Sequence, residues 1–170
     1  LNRIVYDIFS TEFGRMIAAA DQDGLILLMA TGSKYAANMP QPGWQKDREA
    51  FADLRGQLAE YCAGTRRSFD LLLNPRGTEF QQRVWDELMR IPWGSTVSYT
   101  DLARAVGSPD AVRAVGQANG RNPIHIIIPC HRAIGSNGDL SGYAAGIGMK
   151  RSLLEIEGLS ADSRQSALFN

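Results

Sequence analysis

The sequence is poor in the residues from which metal sites, disulfide frameworks and membrane spans are built. Its 170 residues include two cysteines and two histidines, with no C-x-x-C or H-x-x-x-H pair, so the usual zinc spacings are excluded. Cys62 and Cys130 could form at most one disulfide. With no secretory leader ahead of them, they read as two reduced thiols. No run approaches ~18 consecutive apolar residues, so no membrane span and no membrane partner are expected. An excess of one charge is missing as well: eighteen basic and eighteen acidic side chains cancel. That removes any global electrostatic argument for a polyanionic partner. What remains, 44% hydrophobic and 21% charged, is the balance of a folded chain and not of a disordered one. The chain opens at Leu1. The expectation is a soluble, intracellular protein, cytoplasmic or nucleoid-associated if bacterial.

The organisation is that of an α+β protein: a small N-terminal sheet-plus-helix domain, then a mostly helical domain with a helix-turn-helix. Residues 1–74 form the first domain, 75–160 the second, and 161–170 a tail. In the first, Ile4–Phe9 and Arg15–Ala20 read as strands, and Asp23-Gly24 is a hairpin-type turn into Leu25–Met29. Residues 32–43, with Pro40 and Pro42, form a loop. Phe51, Leu54, Leu58 and Tyr61 recur at helical spacing between Asp47 and Cys62, and Phe69–Leu73 reads as a further strand. Nothing in this half carries chemistry.

The second half opens with a helix after Gly77 or Thr78, its inward stripe being Phe80, Val84, Trp85 and Leu88. Thr100 can cap a helix over Asp101–Val106. Gly107-Ser108-Pro109 breaks it, and a second helix runs from Asp110 to about Asn119. Two short helices across a Gly-containing turn outline a helix-turn-helix, as they would any small helical hairpin. The second helix is smooth: Ala111, Ala114 and Ala118 expose only methyl groups, and Arg113 is its only charged interior residue. Such a surface suits close packing on another helix or on the floor of a DNA groove. Between Tyr99 and Arg132, four arginines face two aspartates, a modest excess that favours salt-sensitive phosphate contact. A closing helix follows over Met149–Ile156.

The densest chemistry lies in Pro129-Cys130-His131-Arg132, entered from the apolar run Ile126-Ile127-Ile128, which reads as a buried strand. A free thiol titrates near ~8.5, so an attacking cysteine needs a base or a neighbouring cation. His131 is adjacent. On one strand the two side chains would point to opposite faces, so they cooperate only in a turn or through a bridging water. The alternative is a buried, inert cysteine beside a surface histidine.

These residues resemble one family closely, the O6-alkylguanine-DNA alkyltransferases, or methylated-DNA–protein-cysteine methyltransferases. The resemblance rests on Arg76-Gly77-Thr78-Glu79-Phe80-Gln81-Gln82-Arg83-Val84-Trp85, Val97-Ser98-Tyr99, Arg113-Ala114-Val115-Gly116 and Asn122-Pro123. It continues through Ile126–Arg132, Ser141-Gly142-Tyr143, Leu153-Leu154 and Glu157-Gly158. It implies direct-reversal DNA repair, in which O6-alkylguanine, and O4-alkylthymine as an open alternative, gives its alkyl group irreversibly to Cys130. His131 would be the base through a water, Glu157 would orient the imidazole, and the Tyr99 hydroxyl would supply a proton to the leaving guanine. Arg113 would fill the stack vacated by the flipped base, with Ala111 and Ala114 lying along the minor groove. Asn122 would tie the groove helix to the cysteine loop. Backbone groups near Cys130 and Ala133 would read the exocyclic amine, and Tyr143 with Ala144 would cover O6. The resemblance implies no cofactor and no metal. Its partner is double-stranded DNA carrying O6-alkylguanine, bound by a monomer, with cooperative binding along DNA left open. Ala145 stands where many members have glycine, which narrows the pocket.

Three rivals differ in what they require. A binding-only relative lacks the nucleophile that Cys130 provides. A helix-turn-helix regulator needs base-reading side chains that the second helix does not carry. A papain-like hydrolase needs a distant histidine and an oxyanion hole.

Overall fold

The computed structural model describes residues 2–140 and 142–159. The tail expected over 161–170, together with Ser141, lies outside the described residues. They fall into two compact units, one running to Arg76 and including Pro123–His125, the other comprising Gly77–Asn122 and the chain from Ile126 onward. The sequence places the boundary after Asn74. The first unit extends further because Arg76 Nη2 donates to Asp21 Oδ2 at 2.8 Å. It recruits Pro123–His125 because Ile124 bridges Leu28, with Leu28 N donating to the Pro123 carbonyl and His125 N to the Leu28 carbonyl, both at 2.8 Å.

In the first unit, β1 (Val5–Thr11), β2 (Gly14–Asp21) and β3 (Gly24–Ala30) make an antiparallel meander, and β4 (Gln45–Lys46) adds in parallel to β1, giving the order β3-β2-β1-β4. Register sets Ile8 against Ile17 and Ile17 against Met29. Strands β2 and β3 are buried on both faces, from Met16 to Ala19 and from Leu25 to Met29, which is why they read as continuous apolar runs. Ile17, Ala19, Ile26, Leu27 and Met29 pack with Ala36, Tyr35, Met39 and Trp44 from the loop after β3. Helix α1 (Ala52–Cys62) buries Leu54, Leu58 and Tyr61, and its Arg55 pairs at 3.2 Å with Asp7, a carboxylate otherwise sealed from water. Phe69–Leu73 does not form the expected strand. Leu73 alone in this segment bridges the sheet, at Leu25, and Leu72 stays exposed. Gly24 is required there: a Cβ would stand 2.7 Å from the Leu72 carbonyl oxygen.

The second unit starts with α2 (Glu79–Leu88). Thr78 accepts from Gln81 N, and the Gln81 side chain accepts from Thr78 N, a complete capping box. Val84, Trp85 and Leu88 are its buried stripe, and Trp85 Nε1 donates to the Ala118 carbonyl at 2.9 Å. Replacing Thr78 by alanine is expected to lower unfolding free energy by about 1 kcal/mol, read as a shift in the urea midpoint at constant slope.

After β5 (Val97–Ser98), α3 (Tyr99–Ala105) begins two residues before the expected start. Ser98, not Thr100, is its cap, accepting from Asp101 N. Gly107, at φ +78°, turns the chain toward α4 (Val112–Gly120). The smooth face is narrower than the sequence suggests. Ala118 is buried with Val115, whereas Ala111 is half-buried and Ala114, Arg113 and Gln117 are exposed. Strand β6 (Ala133–Ile134) pairs in parallel with β5, and α5 (Ile147–Ile156) closes the unit on Leu153 and Leu154. No helix among the described residues is long and apolar enough to cross a membrane.

Candidate active site

Ile126–Ile128 is not a strand. The chain turns through it, with Ile126 at φ +73°, a left-handed conformation that costs a β-branched residue about 1–3 kcal/mol. All three isoleucines are buried. Asn122 holds the turn together: its Nδ2 donates to the Ile128 carbonyl at 2.8 Å, and its side chain also hydrogen-bonds Cys130. The amide of Cys130 donates to the same Ile128 carbonyl at 2.8 Å. Cys130, His131 and Arg132 then form one 3-10 turn. A turn, and not a strand end, therefore carries the thiol and the imidazole.

His131 is fully buried, and its Nε2 lies 2.6 Å from Glu157 Oε2 at the end of α5. Arg132 grips the same carboxylate, with Nε to Oε1 at 2.7 Å and Nη2 to Oε2 at 3.1 Å. Its Nη1 donates to the Ile91 carbonyl at 2.6 Å. Burial pushes Glu157 upward, but the hydrogen bonds and charges of His131 and Arg132 outweigh it and hold the carboxyl at about 2. Burial lowers His131 below its ordinary value, against the pull of Glu157 and with the charges of Arg132 and Lys150. At neutral pH the imidazole is neutral, and its Nε2–H is committed to the carboxylate. Nδ1 is buried without a hydrogen-bond partner among the described residues. A neutral imidazole with one nitrogen engaged and the other bare is a base in waiting.

Burial pushes the Cys130 thiol up to about 11, moderated by the Asn122 hydrogen bond and the charge of Lys150. The resting sulfur is therefore a thiol. A thiolate has to be made as it is used, which calls for the base.

Lys150 is a residue the sequence reading missed. It lies on α5 with no exposed surface; its Nζ donates to the Ala133 carbonyl at 2.6 Å and sits 3.5 Å from the Tyr99 hydroxyl. Burial brings its ammonium down to about 8, against the pull of Cys130 and Asp139. Its signal in the sequence was a lone lysine in an apolar helix stripe. Tyr99, at the first turn of α3, is half-buried, and burial together with the charges of Cys130 and Asp139 raises it to about 12. It remains a donor throughout the neutral range.

All the expected site residues belong to the second unit, and six of them gather around the cysteine turn: Cys130, His131, Glu157, Tyr99, Asn122 and Ala133. Ala133 differs from expectation in that one carbonyl lone pair is taken by Lys150. Tyr143 is buried and Ala144 half-buried, on the loop that leads into α5. Arg113 and Ala114 are exposed on α4, and Ala111 is half-buried at its N-cap. Among the described residues no group of three or more His, Cys, Asp or Glu side chains could hold a metal ion.

Comparison with known proteins covers both units. Residues 4–75 match the family model described as 6-O-methylguanine DNA methyltransferase, ribonuclease-like domain, and residues 79–159 match its DNA binding domain. The methylated-DNA–protein-cysteine methyltransferase of Methanosarcina acetivorans is 46% identical over 90% of this chain and 97% of that protein. The constitutive enzyme of Bacillus subtilis is 44% identical over 91% and 96%. A crystal structure of Mycobacterium tuberculosis OGT in complex with DNA superposes with a TM-score of 0.84 at 42% identity, covering 98% of this chain and 99% of that one. The second unit is thus a DNA-binding domain, and DNA is its partner. With a thiol and a neutral imidazole in one buried turn, an ionised carboxylate from the end of α5 against that imidazole, and both units matched in order, the chain belongs to the methylated-DNA–protein-cysteine methyltransferase family.

Proposed function

We propose that this chain removes alkyl groups from the O6 position of guanine in double-stranded DNA by transferring them once, irreversibly, to Cys130. The observation that carries the reading is His131, fully buried and next to Cys130 in one turn, with Nε2 locked to Glu157 and no protein group of the described residues on Nδ1. His131 takes the thiol proton through a water. The Cys130 sulfur forms its bond to the alkyl carbon as the carbon–O6 bond breaks, and the electron pair leaves with guanine. The Tyr99 O–H supplies a proton to that anion, and the Lys150 ammonium stabilises the tyrosinate left behind. A thioether has no route back to a thiol here, so each molecule acts once.

An O6-alkyl group inside a duplex is out of line for attack, so the nucleotide is extruded first. Exposed Arg113 fills the gap in the stack, with Ala111 and Ala114 against the minor groove. Asn122 couples α4 to the cysteine turn, and Tyr143 and Ala144 line the base pocket with the backbone near Ala133. The experiment is intact mass after incubation with duplex DNA carrying one O6-methylguanine. A gain of one methylene, mapped to Cys130, is expected.

On this reading Ala145, half-buried in the same loop, adds a methyl group to the wall of the pocket that takes the alkyl substituent. Replacing it by glycine is expected to speed reaction with O6-benzylguanine roughly 10-fold, the scale of one methyl group in a pocket. Methyl transfer should be nearly unchanged. Equal benzyl rates for both proteins sink the idea.

A further inference from the structure

Arg132 is 8% exposed, and its guanidinium engages partners on both sides. One side forks the two oxygens of Glu157, and the other donates to the Ile91 carbonyl just beyond α2. A buried carboxylate facing an imidazole at 2.6 Å can settle in two ways. Either the carboxylate is ionised and the imidazole presents Nε2–H to it, or the proton sits between them and the imidazole loses its fixed tautomer. Only the first leaves Nδ1 as a lone-pair acceptor toward Cys130. Arg132 selects it, because a bidentate guanidinium stabilises two acceptor oxygens and has no acceptor for a carboxylic acid proton. Lysine could supply the charge but not the fork.

We propose that Arg132 is a positioning residue for the transfer: by forking Glu157 and anchoring on the Ile91 carbonyl, it keeps the carboxylate an ionised, oriented acceptor and so holds His131 in the tautomer that accepts the Cys130 proton. This rests on the alkyl-transfer reading above. The charged and titratable groups facing His131 are Glu157 at the end of α5, Arg132 in its own turn and Lys150 on α5. Cys130 precedes it in the chain, and Tyr99 of α3 reaches Lys150. Removing the Arg132 charge therefore makes the imidazolium easier to form, and the base stays protonated to higher pH.

The test is single-turnover methyl transfer by the full chain from about pH 5 to about pH 9, with lesion binding measured separately. Arg132→Met is expected to slow transfer at neutral pH by on the order of 10–100-fold. Its acidic limb should move to higher pH. Arg132→Lys should return that limb toward the wild-type position while recovering only part of the rate. In a Glu157→Gln background, Arg132→Met should add no further loss, because the residue acts through that carboxylate. A slower Arg132→Met with an unshifted limb, or losses that multiply with those of Glu157→Gln, overturns the inference. Should Arg132→Met fail to fold, the lysine variant and the Glu157→Gln pair, whose site holds no unpaired carboxylate, decide the matter by the same two readouts. If wild type leaves no methyl group on Cys130, the function reading fails. If wild type transfers normally and the Arg132 profiles do not shift, only this inference does.

Discussion

Replacing Cys130 by serine is expected to abolish methyl transfer, with a rate at least roughly 10³-fold lower, while leaving the fold and lesion binding in place. The change exchanges sulfur for a smaller oxygen in a turn held by the backbone bond from Cys130 N to the Ile128 carbonyl and by Asn122 to the same carbonyl. Neither bond uses the sulfur, so the turn should persist. Reactivity cannot persist. Burial already raises the thiol to about 11, and a hydroxyl, a much weaker acid, is further still from the anion that attacks carbon. A neutral imidazole can release a thiolate ahead of attack, whereas an aliphatic hydroxyl yields no comparable supply of alkoxide and its oxygen is the poorer nucleophile toward an alkyl carbon. Intact mass checks the loss of transfer, and fluorescence anisotropy with an O6-methylguanine duplex checks binding. A serine variant that still gains a methylene would place the nucleophile elsewhere. Loss of binding along with transfer would mean the thiol helps to hold the flipped base.

Removing the Glu157 side chain with alanine is expected to be the most damaging single change to stability, about 3–5 kcal/mol, because it strands a buried guanidinium that the carboxylate now pairs. Glu157→Gln should cost less, since it keeps the volume and one acceptor oxygen. The same carboxylate makes the protein acid-labile. Its folded value, about 2, lies below the unfolded one near 4.5. Its stabilisation is complete above about 4.5 and is lost as the pH falls from there toward 2, on the order of 3 kcal/mol in all. His131 acts in the same direction from higher pH. Its folded value is lowered by burial, so below about 6.5 the unfolded chain binds a proton that the folded one resists. Urea midpoints should therefore fall steadily from neutral pH downward. Glu157→Gln should flatten the part of that fall below about 4.5. A wild-type midpoint constant between neutral pH and that value would show that the cluster titrates in the folded state as it does in the unfolded one.

Much of the scaffold was legible along the chain because it depends on local spacing. The Val84, Trp85 and Leu88 stripe of α2, the Asp23-Gly24 turn and the helical periodicity before Cys62 are set by residues a few positions apart; α2 and the turn formed within a residue or two of where the sequence put them, while α1 ends at Cys62 as expected but begins at Ala52 rather than Asp47. Two of the misreadings share one cause. Ile126–Ile128 has the composition of a strand, yet the residue that finds a sheet partner is Ile124, ahead of it, at Leu28. Phe69–Leu73 likewise has strand residues but meets a partner at one position. Ala118 looks like part of an outward smooth face until the Trp85 indole claims its carbonyl. Strand propensity shows that a segment suits a ladder. It does not say whether a partner arrives.

By itself, the sequence determined the reagents: a thiol beside an imidazole after a proline, a distant glutamate, a tyrosine before a helix, and a neutral chain without metal-ligand spacing. Only the tertiary structure decided their states. It brought Glu157 to His131 and Arg132 across 26 and 25 residues, set Lys150 against Ala133 and Tyr99, and left Nδ1 of His131 without a partner among the described residues. The physical reason is that a protonation state is set by burial and by charges a few ångströms away, and those neighbours are chosen by packing between elements far apart in the chain.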